Sequence, residues 1–213
     1  MEGNVLVVGL GNPGEGYEKT RHNLGFYVLD SLYDGDWEKE EIYMYAEQEM
    51  GGAAVVLIKP LTYMNLSGLA VKDASERWKV PPELILVVSD DVDLPLGRLR
   101  LRLRGGPGGH KGLASVVSAL GTQEFPRLRL GIGRPREGDL VSYVLSPFEE
   151  EELREVEDMV ERAAEAVRKF LREGPEAAMR WANTRHKKTK EGRWWSGQDG
   201  PPGSGSWDWW LLG

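Results

Sequence analysis

Apolar positions follow three rhythms along the chain. Short unbroken runs at 5–10 and 84–89, centred on Val5-Leu6-Val7-Val8 and Ile85-Leu86-Val87-Val88, read as strands buried on both faces. Leu24, Val28, Leu29 and Leu32 recur at helical spacing and predict a helix over 22–33. Further helices are predicted over 65–78, stopping before Pro81-Pro82, and over 113–120, 147–173 and 175–185. Strict alternation predicts a half-buried strand over 96–103, and a shorter one follows at 127–131. Gly51-Gly52, set between the strand-like stretches 42–50 and 53–59, signals a hairpin. Strands interleaved with helices predict an α/β fold. It is expected to be a single domain with a mixed, twisted central sheet and helices on both faces. The hairpin argues against a purely parallel sheet.

That domain is expected to span residues 1–186. From 187 to 213 the chain turns rich in Gly, Pro, Ser and Trp, a composition that predicts disorder in the middle of the stretch. Five of the eight tryptophans lie there, which leaves two readings: an extension without function, or a sticky patch for a partner or the chain's own surface. With no cysteine, the sequence offers no thiol nucleophile, disulfide or Cys-based zinc site, which suits a reducing cytoplasm. No basic leader precedes the first strand, and no apolar stretch approaches the ~20 residues of a membrane helix. The expectation is a cytoplasmic protein without a membrane partner. A net charge of −7 argues at first against nucleic acid, but the distribution reverses the inference. Residues 98–111 hold five arginines and lysines and no acid, whereas acids crowd 149–161.

Gly9-Leu10-Gly11-Asn12-Pro13-Gly14 has the G-x-G-x-x-G spacing of a dinucleotide-binding turn. Its context disagrees with that use. Glu15 and Glu18 stand where phosphates would sit, Pro13 removes a backbone donor, and Asp30 falls on a helical segment rather than at a strand end. A nicotinamide-dependent oxidoreductase is therefore disfavoured. The segment does offer polar side chains near a strand's carboxyl end, Asn12 and then Thr20-Arg21-His22-Asn23, where open α/β sheets bind ligands. His22 sits at a helix start, whose positive dipole end favours the neutral imidazole, although a capping or surface histidine fits the same position. Three other stretches follow strands or turn on glycines: KPLTYMNLSG from Lys59, SDDVDLP from Ser89 and GGPGGHKG from Gly105. In Arg98, Arg100, Arg102 and Arg104 the period of two places four arginines on one strand face, which suits RNA phosphates better than a merely charge-protected edge.

Taken in order, GLGNPGEGYEKTRHNLGF, KPLTYMNLSG, DDVDLPLG, GGPGGHKGL and FPRLRLGIGRP resemble the successive motifs of bacterial peptidyl-tRNA hydrolase, from about residue 5 to about 185. The resemblance implies hydrolysis of the ester joining a peptide's carboxyl to the 3′-terminal ribose of tRNA, with neither cofactor nor metal. It makes His22 the general base on water, Asp90 the group that orients it, and Asn12 and Asn65 the amides holding water and the ester carbonyl. Tyr17 and Met64 would contact substrate, core packing being the other reading of Met64. Ser67 is expected to cap or face a helix, and Asp91 and Asp93 to form turns, with magnesium at Asp90, Asp91 and Asp93 the lesser reading. Arg102 and Arg129 would clamp the tRNA 5′-phosphate, and His110 would contact the acceptor end. The partner implied is peptidyl-tRNA, bound by its acceptor stem and CCA end. The enzyme is expected to be a monomer with no obligate protein partner. One departure stands out: the family's Gly-Gly-His-Asn-Gly carries Lys111 in place of Asn, and this lysine is expected to meet a phosphate near the CCA end. The acidic stretch 149–173 of the long helix should lie away from RNA or act as a lid, with 138–143 a mobile connector. The alternative, an RNA-binding relative without catalysis, needs the arginines but not the quartet Asn12, His22, Asn65 and Asp90.

Overall fold

The computed structural model describes residues 4–135, 137–188 and 194–195. The apolar run Asn4–Gly9 forms β1, whose side chains alternate between two separate cores because helices cover both faces. Val5 and Val7 join one core with Leu24, Val28 and Leu29 of α1 (Leu24–Leu32), while Leu6 and Val8 face the other. A two-residue strand, β2 (Glu38–Lys39), precedes the hairpin of β3 (Tyr43–Met50) and β4 (Ala53–Pro60), turned at Gly51 and Gly52 with positive φ at both. Then come α2 (Ser67–Arg77), β5 (Ile85–Asp91), β6 (Leu99–Arg102), α3 (Lys111–Leu120) and β7 (Arg127–Gly131). The run closes with α4 (Leu140–Val144), α5 (Glu150–Glu173) and α6 (Pro175–Asn183).

Seven strands order as β2-β3-β4-β1-β5-β7-β6. The four central strands are parallel, and antiparallel partners close both edges, so the sheet is mixed as the hairpin implied. α1, α5 and α6 cover one face, and α2 with α3 covers the other. Along α5, Val156, Met159, Ala163, Val167 and Phe170 are buried at helical spacing, which leaves its acids outward.

Several boundaries differ from the sequence reading, each for a local reason. A 3₁₀ turn at Arg21–Asn23 precedes α1, and another at Met64–Leu66 precedes α2. β5 runs on through Asp90 and Asp91, because both carboxylates find partners inside the protein. The predicted connector 138–143 is largely α4, N-capped by Asp139, whose carboxylate accepts the N–H groups of Val141 and Ser142. The long helix starts only at Glu150, since Pro147 bridges to Thr20.

The expected domain end at 186 lies close to the division of the chain after Asn183. In the C-terminal unit, Lys187–Lys188 (β8) pairs antiparallel with Trp194–Trp195 (β9), so the expected disorder does not begin at 187. The rest of that Gly/Pro/Trp-rich stretch lies outside the described residues. Among the described residues, no helix is long and apolar enough to cross a membrane.

Candidate active site

β1 and β5 are neighbours, yet the helices that follow β1 and β4 cover opposite faces of the sheet. A crevice opens at such a point, beyond the carboxyl ends of the strands. The chain leaving β1 enters it first. Asn23 clamps Asn12 from both sides: its Oδ1 accepts the Asn12 N–H at 2.9 Å, and its Nδ2 donates to the Asn12 carbonyl at 3.0 Å. The Asn12 side chain is oriented in turn, because its Oδ1 accepts the Met64 N–H at 2.7 Å. The amide NH₂ is therefore the end left for a ligand.

His22 is buried, and its Nδ1 lies 2.7 Å from Oδ1 of the fully buried Asp90. A carboxylate only accepts, so Nδ1 carries the ring proton and Nε2 keeps a lone pair. His110 reaches the same Asp90 oxygen with Nε2 at 2.9 Å. Burial alone would push the Asp90 carboxyl up; the donors from His110 and His22 outweigh it and hold the group well below the ordinary carboxylate range. Asp90 is therefore a carboxylate throughout the neutral range.

A cleft of about 620 Å³ opens around these groups. Asn12, Tyr17, His22, Met64, Asn65, Asp90, His110, Lys111 and Arg129 all line it, so nine of the ten residues singled out from sequence converge there. Tyr17 meets Tyr63 edge to face at 6.2 Å. Asn65 is exposed, with no partner among the described residues. Met64 is buried in the core under α2 and α3, and it also faces the cleft. Gly112 makes room for it, since a Cβ there would lie 2.4 Å from the Met64 sulfur. Across the cleft, α4 and the residue after it contribute Leu140, Val141, Val144 and Leu145, so one wall is apolar.

The remaining acids have structural partners. Asp91 accepts the Asp93 N–H at 2.8 Å, as a turn-forming residue does, and lies 2.9 Å from Nε of Arg129, an ion pair without hydrogen-bond alignment. Burial pushes the Asp91 carboxyl up, which the Asp93 N–H and Arg129 oppose. Asp93 pairs with Arg134. With both acids matched to arginines, they form a poor magnesium site. Ser67 donates to the Met64 carbonyl at 2.9 Å and is no nucleophile.

The arginine row is shorter than the alternation implied. Only Arg100 and Arg102 lie within β6, both exposed, while Arg104 beyond the strand approaches Glu124 at 3.7 Å. Register places Arg100 opposite Arg129 and Arg102 opposite Arg127, so these four share the face away from α5. Arg102 lies outside the cleft, further along this strip. Arg127 is fully buried and donates to the carbonyls of Gly105, Gly106, Gln123 and Phe125. Burial, and then the charge of Arg129, pull its guanidinium down to about 10, so it remains a cation at neutral pH.

Among the described residues, His22, Asp90 and His110 form the one group that could hold a metal ion, with donor atoms within 4.8 Å of one another. The hydrogen bonding does not fit an ion. Nδ1 of His110 accepts the N–H groups of Gly112 and Leu113, at 3.1 and 3.2 Å. A metal on Nε2 would drive the ring proton onto Nδ1, against both donors. The same bonds leave His110 no free ring nitrogen for the acceptor-end contact expected of it. Asn23 and Arg21 stand out in the sequence only as polar residues beside His22; their roles depend on partners 11 and 131 residues away.

Over residues 6–191 the sequence matches the family profile described as Peptidyl-tRNA hydrolase. The peptidyl-tRNA hydrolase of Aquifex aeolicus (strain VF5) is 49% identical over 184 residues, spanning 84% of this chain and 95% of that protein. That of Carboxydothermus hydrogenoformans is 48% identical over 178 residues, spanning 82% and 95%. Among solved structures, the peptidyl-tRNA hydrolase of Acinetobacter baumannii superposes with a TM-score of 0.79 at 35% identity, covering 86% of this chain and 96% of that one.

Proposed function

The chain belongs to the peptidyl-tRNA hydrolase family and hydrolyses the ester of peptidyl-tRNA, and we propose that the His22–Asp90 pair performs that reaction on a bound water. The 2.7 Å bond between the two side chains carries the proposal. His22 Nε2 takes a proton from water as the oxygen attacks the ester carbonyl carbon. The protonated ring is stabilised by Asp90 through Nδ1, as in the His–Asp half of a hydrolytic triad. The Asn12 NH₂ donates to the oxyanion, and Asn65 holds the water or the carbonyl beside it. Collapse then breaks the bond to the ribose 3′-oxygen, which receives the proton from His22. An ester with a good leaving group needs no covalent intermediate, and among the described residues no serine or cysteine lines the cleft.

The apolar side chains of Leu140, Val141 and Leu145, together with Tyr17, Tyr63 and Met64, give the cleft a lining that suits a peptide varying in sequence. For the tRNA, Arg129 at the cleft and Arg102 on the strip beyond it would take the 5′-phosphate. Lys111 would meet a phosphate near the CCA end. It is the first residue of α3, where a cation opposes the helix dipole, and it has no acidic partner among the described residues. An incoming phosphate answers both. The acids of α5 face away from this strip. We read the enzyme as a monomer acting in the cytoplasm, which its lack of cysteine suits.

The decisive experiment compares hydrolysis of N-blocked aminoacyl-tRNA and free aminoacyl-tRNA by wild type and His22→Ala. The blocked substrate should be strongly preferred, and His22→Ala should lower kcat by about 10²–10⁴-fold. Equal rates on both substrates, or an active His22→Ala, would overturn the reading. Lys111→Ala should raise KM and flatten its salt dependence; an unchanged salt slope would remove the phosphate contact.

A further inference from the structure

His110 enters the site from the second glycine loop, and both of its ring nitrogens are committed. Nδ1 accepts the N–H groups of Gly112 and Leu113, which makes the imidazole the N-cap of α3. A nitrogen that accepts two hydrogen bonds carries no proton, so the ring proton sits on Nε2, 2.9 Å from Asp90 Oδ1. Asp90 Oδ1 thus receives two imidazole N–H bonds, the other from His22 Nδ1 at 2.7 Å. The two rings stand 4.9 Å apart, tilted by 48°. Adding a proton to His110 would forfeit both cap bonds and set three N–H donors face to face at the positive end of a helix. His22 has no such constraint, because its Nε2 faces the cleft.

We propose that His110 is a positioning residue for the hydrolysis: its tautomer fixed by the α3 cap, it occupies part of the Asp90 oxygen and so limits how strongly Asp90 can stabilise protonated His22. The two histidines compete for one acceptor, and only His22 has a ring nitrogen that no bond among the described residues occupies. His22 is thereby kept oriented by the carboxylate without being trapped as a cation. The proposal rests on the reading of His22 as the base. Other nearby charges are turned elsewhere: Arg21 of the 3₁₀ turn to Glu152 of α5, Asp91 of β5 to Arg129 of β7, and Asp93 to Arg134. Lys111, next to His110, stands exposed at the rim. The hydrogen bonds given to the Asp90 carboxylate come from the two histidines alone among the described residues.

The test exploits a sequence with only three histidines, His22, His110 and His186. In the ¹⁵N-labelled full chain, imidazole nitrogen shifts should report an Nε2–H tautomer for His110 and an Nδ1–H tautomer for neutral His22. An Nδ1–H tautomer at His110 would overturn the proposal, whatever the kinetics. His110→Asn then separates the two roles, because asparagine is a good N-cap but is too short to reach Asp90. With Asp90 left to His22 alone, the acid limb of the kcat/KM–pH profile should move up by about 0.5–1 pH unit, the scale of one shared hydrogen bond. A lowered rate with the limb unmoved would mean that His110 is merely structural, and would refute the proposal. The wild-type tautomer measurement stands even if the variant fails to fold. It is also independent of His22→Ala, so failure of the base assignment and failure of the shared-carboxylate arrangement are distinguishable.

Discussion

Glu152→Gln tests how the turn carrying His22 is fastened to the rest of the protein. Arg21 directly precedes His22, and its side chain is 3% exposed. Its Nη1 and Nη2 donate to the two Glu152 carboxylate oxygens at 3.1 and 2.6 Å, and its guanidinium lies 4.5 Å from the Tyr143 ring centre and 4.6 Å from that of Phe148. Its backbone N–H donates to the Ser146 carbonyl at 3.0 Å, so one residue ties the turn to the segment between α4 and α5. Glutamine at 152 can keep the bond from the Glu149 N–H (2.8 Å), since Gln serves at N3 of a capping box as Glu does. The substitution therefore removes the charge and one of the two Arg21 bonds, since the amide NH₂ that replaces Oε1 cannot accept from Nη1. Breaking a buried ion pair from one side costs about 3–5 kcal/mol. Glu152 is one-quarter exposed and its amide replacement still accepts a bond, so we discount this to about 2 kcal/mol. For a domain of this size that lowers Tm by about 4–8 °C. Burial pushes the Glu152 carboxyl up, but the Arg21 hydrogen bond outweighs it and the folded-state value is lowered. The stabilisation is then present above the unfolded value of about 4.3 and is lost as pH falls through the lowered one. Wild type and variant should begin to converge below about pH 4 and meet once the pH is below the lowered folded-state value. Denaturant unfolding of Glu152→Gln, Arg21→Met and the double variant gives the coupling directly. Additivity within about 0.5 kcal/mol would refute the account.

Two further outcomes concern the cleft. Asn12→Ala should lower kcat by about 10²–10³-fold with little change in KM, because its NH₂ is aimed at charge that develops only in the transition state; a pure KM effect in steady-state hydrolysis would reassign it to ground-state binding. Arg127→Met takes a fully buried donor away from four carbonyls around the base of the glycine loop, so the denaturant midpoint should fall by an equivalent of about 2–4 kcal/mol. Hydrogen exchange should quicken at Gly105 and Gly106, and unchanged exchange there would show that the loop holds itself.

Much of the sheet was legible because burial on two faces leaves a simple mark: β1 and β5 are unbroken apolar runs, and β3–β4 is punctuated by paired glycines. Segments carrying chemistry were legible as polar islands at strand ends, and nine of the ten residues that the family resemblance then picked out line one cleft. What the chain did not disclose is direction and partnership. Arg127 and Arg129 look alike in an alternating strand, yet one faces the cleft and the other disappears beneath a loop whose carbonyls consume its donors. His110 reads as a histidine in a glycine loop, whereas its Nδ1 caps the start of a helix. α4 was missed because five residues give too little periodicity, although Asp139 three residues before Ser142 is the cap signal in hindsight. Each of these depends on contacts distant in sequence or on hydrogen bonds to backbone, and composition and period carry neither.

The glycines of Gly9-Leu10-Gly11-Asn12-Pro13-Gly14 show why a dinucleotide spacing recurs without a dinucleotide. A Cβ on Gly9 would lie 2.3 Å from the Gly25 carbonyl oxygen, and one on Gly25 would lie 2.3 Å from the Leu10 nitrogen. The pair lets α1 pack against the end of β1, a steric need shared by any fold that returns a helix across its first parallel strand. Gly14, at φ +100°, turns the loop. What separates the chemistries is where the backbone donors go. Here α1 begins only at Leu24, the Leu10 N–H goes to Val88 and the Asn12 N–H goes to Asn23, so those amides are withheld from a pyrophosphate. The ten or so residues between loop and helix, which a dinucleotide fold omits, instead carry Tyr17 to one wall and His22 back to Asp90. The switch-point crevice is kept, and a proton-transfer pair replaces the helix end as the group that meets the ligand.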